Sequence, residues 1–401
     1  MAQTLAAGDD FPHEKRIRPS STAELLGTVP HLLGFAPQAS LVVLVTGPPR
    51  DQIKVTLRYD LPDPPATGAV ADIAAHAVGI AESQRATAMT VIGYGPAALV
   101  DPLAVAFPVA IDGTDLVLRD FFRVENGRYW SYTCGNEACC PSAGKPFDPA
   151  GFPAASVLDR SARGVLPDRS ALAAQVAPLG GIAAVSMRQA TRRAEAHANR
   201  LLKKVTKSHR IGAARRMVAA EGLNAVSTII GTYRAGGSYA TDYQLAWVTV
   251  ALKDLRVRDD AWARMDPKFS DAHRRLWTDL TRRAQPGHVA APASLLAFVA
   301  WQSGDGALAN VALDRALADN PTYSMALLLS QVISVGTPPS MAQLPMTPEE
   351  VAASYDAAEQ LCDEDRDEDD DHGPQDWHHS EQQPDHDLDL DVRHLGIGGE
   401  P

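Results

Sequence analysis

The sequence predicts an α/β domain, formed by a small sheet with helices and a β-hairpin, followed by an all-α domain and a disordered acidic tail. Three observations lead to this fold class. Apolar β-branched runs lie in the first third of the chain, helical periodicity takes over from Asp168, and acidic residues crowd the C-terminus. A chain of 401 residues is also longer than one ordinary hydrophobic core requires, so two folded domains are expected.

Composition places the boundaries between these parts. We expect a disordered N-terminus over 1–19, the α/β domain over 20–150, a linker with short helices over 151–185, an all-helical domain over 186–345 and the acidic tail over 346–401. From Cys362 onward the tail has almost no apolar residues to bury, which is why it is expected to be disordered.

The α/β domain begins with a helix-capping signature. Ser21 and Glu24, three residues apart, predict a helix start, and Pro30 predicts that this short helix stops before it. After a turn through Gly34, residues 40–45 form a continuous apolar run, which is typical of a strand buried on both faces.

Alternating strands and helices complete this domain. The sequence predicts a half-buried strand over 53–59, a helix over 70–86, a buried strand over 88–93, a helix over 97–110 and strands over 116–124 and 128–133. The last two strands flank Asn126-Gly127, a pair that favours the positive φ angles of a tight hairpin turn. This order of elements predicts an α/β sandwich.

The predicted all-α domain begins with an amphipathic helix that is a candidate binding surface. Ser186 and Gln189 form a second capping signature, and the helix after them has one basic face and one apolar face. The basic residues are Arg188, Arg192, Arg193, Arg200, Lys203, Lys204 and Lys207. This face predicts salt-dependent binding of nucleic acid, although a solvated face without a partner explains the same pattern. Further helices are expected over 242–256, 270–284, 292–303, 305–318 and 322–335.

Charge is distributed unevenly along the chain. The formal net charge is −12, yet residues 362–401 contain 15 Asp and Glu against 2 Arg, which leaves 34 acidic and 35 basic residues elsewhere. The folded body is therefore nearly neutral and the tail is strongly acidic. One interpretation of the basic helix face is thus intramolecular, with the tail covering it at low salt.

Three of the four cysteines lie in one stretch, Thr133–Gly144, directly after the predicted hairpin; we call it the cysteine loop. Cys134 and Cys139 have four residues between them, the outer limit for paired zinc ligands, and together with Cys140 they make zinc a candidate cofactor. The fourth ligand is unknown, and His31 and His76 are the candidates near enough in sequence. Packing or a local disulfide is the plainer explanation of these cysteines, and a catalytic or redox-active thiol is a third.

Two turns are candidate ligand sites. Gly34, Phe35 and Ser40 precede or begin the first strand, and Gly93 and Gly95 follow a buried strand, where α/β folds often bind ligands. Two glycines are too common to identify a nucleotide site. A thiol- or zinc-dependent enzyme would place its site between the Gly34 turn and the cysteine loop, and these segments would then meet at a polar pocket.

Four stretches together resemble a known family. They are PHLLGFAPQASLVVLV at 30–45, RDFFRVENGRYWSYTCGNEACCPSAG at 119–144, LKDLRVRDDAW at 252–262 and WQSGDGALANVALDRALADNPTYSMALLL at 301–329. In this order, over most of residues 20–340, they resemble the actinobacterial domain-of-unknown-function family 4192. The resemblance carries over no activity, cofactor or partner.

The last of these stretches is also similar to one tetratricopeptide unit. The similarity rests on Ala309, Ala312, Ala316, Leu317, Asn320, Pro321, Tyr323 and Ala326. One unit is too short for an independent array, so we expect a tetratricopeptide-like helical hairpin inside the all-α domain. It implies a groove for a protein partner, and simple core packing is the alternative.

The expected cellular compartment is inferred from the absence of a signal-peptide pattern and of a long apolar run in the sequence. Its first residues have no apolar signal-peptide core, and the longest strongly apolar run, 41–45, is far shorter than the roughly 20 residues of a membrane helix. We therefore expect a cytoplasmic protein without a membrane partner. The residues favour a non-catalytic binding or interaction protein with a protein partner, with a thiol or zinc enzyme and a nucleic-acid-associated protein as alternatives.

Overall fold

The computed structural model describes residues 19–148, 164–206, 211–238, 241–341 and 346–369. A small mixed sheet with helices comes first and a helix-rich part follows, which confirms the predicted order of the two kinds of structure. Residues 1–18 and 370–401, which are predicted to be disordered, lie outside the described residues. Lys207 of the predicted basic face also lies outside them.

The first helix, α1, spans Thr22–Leu33 and begins as predicted. The Ser21 hydroxyl accepts a hydrogen bond from the main-chain N–H of Glu24 at 3.2 Å. The predicted end before Pro30 is wrong, because the helix continues to a left-handed cap at Gly34, where φ is 75°. A proline near a helix end removes one main-chain hydrogen bond, and here the buried apolar residues of α1 and the glycine cap maintain the helix.

The sheet has six strands in the order β2-β1-β3-β4-β5-β6. They are β1 Ser40–Gly47, β2 Gln52–Asp60, β3 Ala88–Tyr94, β4 Val117–Glu125, β5 Arg128–Ser131 and β6 Lys145–Pro146. Strands β3 and β4 are parallel, and all other neighbours are antiparallel. The first five strands confirm the predicted positions, but the half-buried character expected of β2 is wrong, because its residues from Val55 to Tyr59 are all buried. The sixth is two residues long, too short to show an alternating pattern.

Two helices cover one face of this sheet. They are α2, Thr67–Ser83, and α3, Ala97–Ile111, and their apolar residues share one buried cluster with the sheet. The approach of α3 to β3 is close: a Cβ on Gly93 would lie 2.5 Å from Cγ1 of Val100. Only glycine fits at this contact, so the residue has a packing role.

The structure describes ten further α-helices after the sheet. They are α4 Arg169–Ala174, α5 Gly181–Thr206, α6 Ile211–Arg234, α7 Asp242–Ala251, α8 Leu255–Ala263, α9 Ser270–Arg283, α10 Ala290–Gln302, α11 Gly306–Asp319, α12 Ser324–Ser334 and α13 Pro348–Asp369. The basic helix α5 thus begins before the predicted Ser186. The single helix predicted over 242–256 is two helices, because Asp254 caps a new start at Leu255. None of the described helices combines the length and apolarity that crossing a membrane requires.

Contacts divide the chain into two compact units, each discontinuous in sequence. The described residues of Met1–Met187 and Ser270–Met341 form the first unit, and those of Arg188–Phe269 and Ala342–Pro401 form the second. The stretch expected to be one all-helical domain, residues 186–345, is therefore shared between them. Composition does not reveal this division, because both halves of the stretch are helical.

Long-range contacts place α9–α12 with the sheet in the first unit. The main-chain N–H of Leu179 donates to the carbonyl of Arg282 at 2.9 Å. After α12, Gly336 lies so close to α2 that a Cβ would be 2.7 Å from Cγ2 of Ile80. These contacts join residues more than 100 positions apart, which local sequence patterns do not encode.

Helix α13 lies where the sequence analysis expects the acidic tail to be disordered. Its start has a reciprocal cap: the Thr347 hydroxyl accepts from the Glu350 N–H at 3.2 Å, and the Glu350 carboxylate accepts from the Thr347 N–H at 2.7 Å. Val351 is buried, and the Tyr355 hydroxyl donates to Asp259 of α8 at 2.7 Å. Packing on α8 explains why this part of the acidic segment is helical.

Replacing Gly93 by alanine tests the contact between α3 and β3. We expect Gly93→Ala to lower the free energy of unfolding by about 1–3 kcal/mol, because the new methyl group overlaps Val100. Thermal and denaturant unfolding followed by circular dichroism measure the change. The matched control is Gly79→Ala in α2, where a Cβ has no neighbour within 4 Å and helix propensity favours alanine. Equal losses in both variants would contradict the assignment.

Candidate functional site

The cysteine loop brings three thiols together. The Sγ atoms of Cys134, Cys139 and Cys140 all lie within 4.8 Å of one another, and none of the three is in a disulfide. Thiolates bound to one tetrahedral zinc at about 2.3 Å are about 3.8 Å apart. The three sulfur atoms therefore need to move by no more than about 1 Å to share one zinc ion.

A turn centred on Asn136 shapes the loop. The Asn136 carbonyl accepts hydrogen bonds from the N–H groups of Cys139 and Cys140, at 3.0 and 2.7 Å. Its side-chain oxygen accepts from the N–H of Ala138 at 3.0 Å. Asparagine favours such turns because its side chain bonds to its own backbone two residues on. The turn folds Cys139 and Cys140 back toward Cys134.

A carboxylate on β4 fixes the beginning of the loop. Asp120 Oδ1 accepts hydrogen bonds from the Ser131 hydroxyl, at 2.8 Å, and from the Thr133 hydroxyl. The Ser131 hydroxyl in turn accepts from the N–H of Cys134 at 3.1 Å. Asp120 and Ser131 thus position Cys134 through its main-chain N–H group and not through its sulfur atom.

Strand β5 fixes the other end of the loop. The indole N–H of Trp130 donates to the carbonyl of Ser142 at 3.0 Å, and Arg128 donates to the carbonyl of Gly144 at 2.8 Å. Gly144 has a φ of 74°, and a Cβ there would lie 2.5 Å from the indole ring of Trp130. The Arg123 guanidinium covers the same ring at 3.7 Å from its centroid. The loop is therefore held at both ends by one hairpin.

The thiols differ in how readily they ionise. A hydrogen bond from the main-chain N–H of Asn136, aided by one from Cys140, lowers the pKa of Cys134. Burial, together with the neighbouring Cys134 and Cys139, raises the pKa of Cys140 to about 11. The Lys145 ammonium lies 3.9 Å from the Cys139 sulfur. Adjacent thiolates repel one another, so a bound cation would favour ionisation of all three.

Within the described residues, the group of metal-binding atoms has three members. Neither candidate fourth ligand is in this group: His31 lies in the last turn of α1, and His76 lies in α2 with its Nδ1 atom 2.9 Å from the Tyr59 hydroxyl. Cys139 is exposed, whereas Cys134 and Cys140 are half-buried. The arrangement therefore offers three sulfur ligands from one loop and leaves a fourth position to a group from outside it.

The candidate ligand turns lie elsewhere on the sheet. Their residues make hydrogen bonds and packing contacts within the protein. The Ser40 hydroxyl accepts two hydrogen bonds from the Arg58 guanidinium, at 2.7 and 3.0 Å. Phe35 is buried and bridges to Leu166 beside Gly34. Leu41 pairs with Gly93, which places Gly93 and Gly95 beside the start of β1.

The sheet order separates these turns from the cysteine loop. Strands β3 and β4 lie between β1 and β5, so the two segments are about three strand spacings, or about 14 Å, apart across the sheet. This separation does not favour one pocket lined by both the Gly34 turn and the cysteine loop.

The basic face of α5 is exposed in the part that the structure describes. Its opposite side is apolar and buried, through Met187, Ala190, Ala194 and Leu201. The exposed basic residues are Arg188, Arg192, Arg193, Arg200 and Lys203. The side chain of Lys204, like all of Lys207, lies outside the described residues. The amphipathic pattern therefore holds from Met187 to Lys203, whereas Ile182 and Val185 near the start of the helix are exposed.

Sequence reasoning named the cysteines but missed the residues that position them. No sequence motif distinguishes Asp120, Ser131 and Trp130 from other strand residues. Their relation to the loop becomes visible only from the pairing of β4 with β5. The two-residue turn Asn126-Gly127 pairs Phe122 with Ser131, which places Asp120 and Ser131 diagonally on one face. That register was the available signal.

Comparison with known proteins gives one result. The family model described as Domain of unknown function (DUF4192) matches residues 23–340, which confirms the resemblance found in the sequence. The matched range includes the sheet, the cysteine loop and the basic helix. No curated protein and no solved structure matches the chain.

The contact between Gly144 and Trp130 tests how the loop is held. We expect Gly144→Ala to lower the free energy of unfolding by at least about 1 kcal/mol, because alanine is strained at positive φ and its methyl group overlaps the indole. Thermal unfolding measures the loss. Gly135→Ala, in the same loop with no neighbour within 4 Å of the added Cβ, is the matched control. An unchanged melting temperature for Gly144→Ala would disprove the contact.

Proposed function

The chain belongs to the DUF4192 family. From the geometry of its cysteine loop we propose that it is a cytoplasmic, non-catalytic binding protein in which a zinc ion holds this loop closed. The observation that carries the proposal is the placement of three thiols within 4.8 Å of one another on a loop bonded at both ends to one hairpin. Thiolates are soft ligands, which suits zinc better than magnesium or calcium.

Cys134, Cys139 and Cys140 would hold the ion, and zinc would neutralise their negative charge. A structural role is favoured over catalysis by the hydrogen bonds of Asp120, the carboxylate that fixes the beginning of the loop. Asp120 Oδ1 already accepts hydrogen bonds from Ser131, from Thr133 and from the N–H of Phe121 at 2.9 Å. A carboxylate engaged in this way is a positioning group rather than a general base.

Binding of a protein partner is assigned to the helices after Ser270. The proposal of a tetratricopeptide-like hairpin is supported by Ala309, Ala312 and Ala316 of α11 and Ala326 of α12, which are fully buried where consecutive helices pack. On the outer side of α12, Leu327 and Leu328 are 47% and 40% exposed. Exposed leucines on a packed helical hairpin favour an apolar protein surface as the partner.

Nucleic-acid binding is a second candidate function, and the exposed basic face of α5 favours it. Five Arg and Lys side chains are exposed along this face. The face has no aromatic residue for base stacking, so binding would depend on phosphate contacts and tolerate any sequence.

Metal content tests the zinc site. We expect full-length protein, purified without chelator or affinity histidines, to contain close to one zinc per chain by elemental mass spectrometry. Cys134→Ser, Cys139→Ser and Cys140→Ser should each lose the metal, because three sulfur ligands from one loop leave no spare donor. Zinc affinity should fall as the pH is lowered, since the thiols must lose protons to bind.

The fourth cysteine supplies the matched control for this experiment. Cys362→Ser makes the same chemical change outside the cysteine loop and should retain the zinc. Metal-free wild-type protein, or equal loss of zinc in Cys362→Ser, would disprove the site.

Titration of labelled DNA at several salt concentrations tests the second function. Replacing Arg192 and Arg193 by alanine removes two exposed charges, so the slope of log affinity against log salt should become shallower by about two. Lys253→Ala, an exposed lysine off this face, should leave the slope unchanged. Fluorescence anisotropy gives both values, and an unaltered slope in the double variant would exclude the face as a DNA surface.

A further inference from the structure

The basic face of α5 lacks counter-charges among the residues that the structure describes. Its exposed members are Arg188, Arg192, Arg193, Arg200 and Lys203. None of these five forms an ion pair with a described carboxylate. Helix α5 contains one acidic residue, Glu195, which is half-buried. Five like charges over about 22 Å of helix repel one another, so an anionic partner would stabilise this face.

The C-terminal segment has the complementary charge. Residues 370–401 contain nine Asp and Glu against one Arg, a net charge of −8 with histidines neutral. Four of the acids alternate along the chain, as Asp385, Asp387, Asp389 and Asp391. In an extended conformation, alternate residues are about 6.6 Å apart on one side, close to the 5–6 Å between neighbouring side chains on a helix face.

The point where this segment begins lies in the same compact unit as the basic face. Helix α13, which precedes residue 370, packs on α8 through Tyr355 and through an ion pair of 2.8 Å between Asp356 and Arg256. Arg188–Phe269 and Ala342–Pro401 together form that unit. The segment is therefore tethered to the body that carries the face.

The tether is long enough for contact. A chain of 32 residues has a root-mean-square reach of about 30 Å, whereas a compact body of about 100 residues has a radius of gyration of about 13 Å. A tether of this length gives an effective concentration on the order of millimolar, which makes a weak electrostatic contact well populated at low salt.

We propose that the basic face of α5 is the docking site of this chain's own acidic segment, residues 370–401. The contact is electrostatic, spans the exposed Arg and Lys residues, and opens as salt screens it. It covers the surface to which a nucleic acid would bind, so the segment competes with polyanions for the face. The docking itself does not depend on nucleic-acid binding, because it needs only the charges of this chain.

Zero-length cross-linking of the full-length protein tests the docking. A water-soluble carbodiimide joins a carboxylate directly to an amine, and peptide mass spectrometry identifies the pair. At about 50 mM salt we expect residues 370–401 to be linked to Lys203, Lys204 or Lys207, with at least about tenfold less product at about 1 M salt, where the screening length is about 3 Å. Lys253, an exposed lysine in the same unit and off the face, is the matched control and should be linked far less.

The full-length variant with Asp385, Asp387, Asp389 and Asp391 replaced by asparagine provides the second measurement. It should lose most of the cross-link and, where the face binds DNA, should bind DNA more tightly than wild type. Equal linking to Lys203 and Lys253, no link at low salt, or a yield that salt does not change would overturn the docking. A mixture of isotope-labelled and unlabelled chains that gives only links between different chains would overturn it as well.

Discussion

The hairpin of β4 and β5 is the constraint on which the candidate site depends. Its tight turn at Asn126-Gly127 sets the register that places Ser131 opposite Phe122. From this register, Asp120 reaches the start of the cysteine loop and Trp130 reaches its end. Three thiols from seven consecutive residues meet because the Asn136 turn folds the loop back and because both ends of the loop are bonded to adjacent strands. The loop is thus an extension of the sheet, and metal binding would complete contacts that the backbone already provides.

Charge is separated in this protein in a way that its net value conceals. Residues 1–361 are nearly neutral and include the basic face of α5, whereas residues 362–401 contain 15 Asp and Glu against 2 Arg. A basic face of this kind is costly to leave without counter-ions at low salt. In the proposed docking, residues 370–401 neutralise the basic face of α5, and another polyanion can displace them. In this account the two regions are one electrostatic system within one compact unit.

Strong periodic patterns made much of the fold predictable, and long-range packing made the rest inaccessible. The apolar runs of β1 and β3 and the Asn126-Gly127 turn identify their elements directly. The division of residues 186–345 between two units depends on contacts such as Leu179 with Arg282, which no local pattern records. For the site, spacing identified the cysteines as a group, but only the hairpin register brings in Asp120 and Ser131. The described residues add no further donor to the three thiols, so the fourth position is open to a group from outside the loop.

X-ray absorption at the zinc edge of the purified protein tests zinc binding by the cysteine loop, because it counts ligands by element and distance. A zinc ion held by this loop should show three sulfur atoms at about 2.3 Å and one lighter oxygen or nitrogen atom at about 2.0–2.1 Å. The same spectrum should be lost when Cys134 is replaced by serine. A shell made only of oxygen and nitrogen would contradict the account, because the metal would then lie away from the cysteine loop.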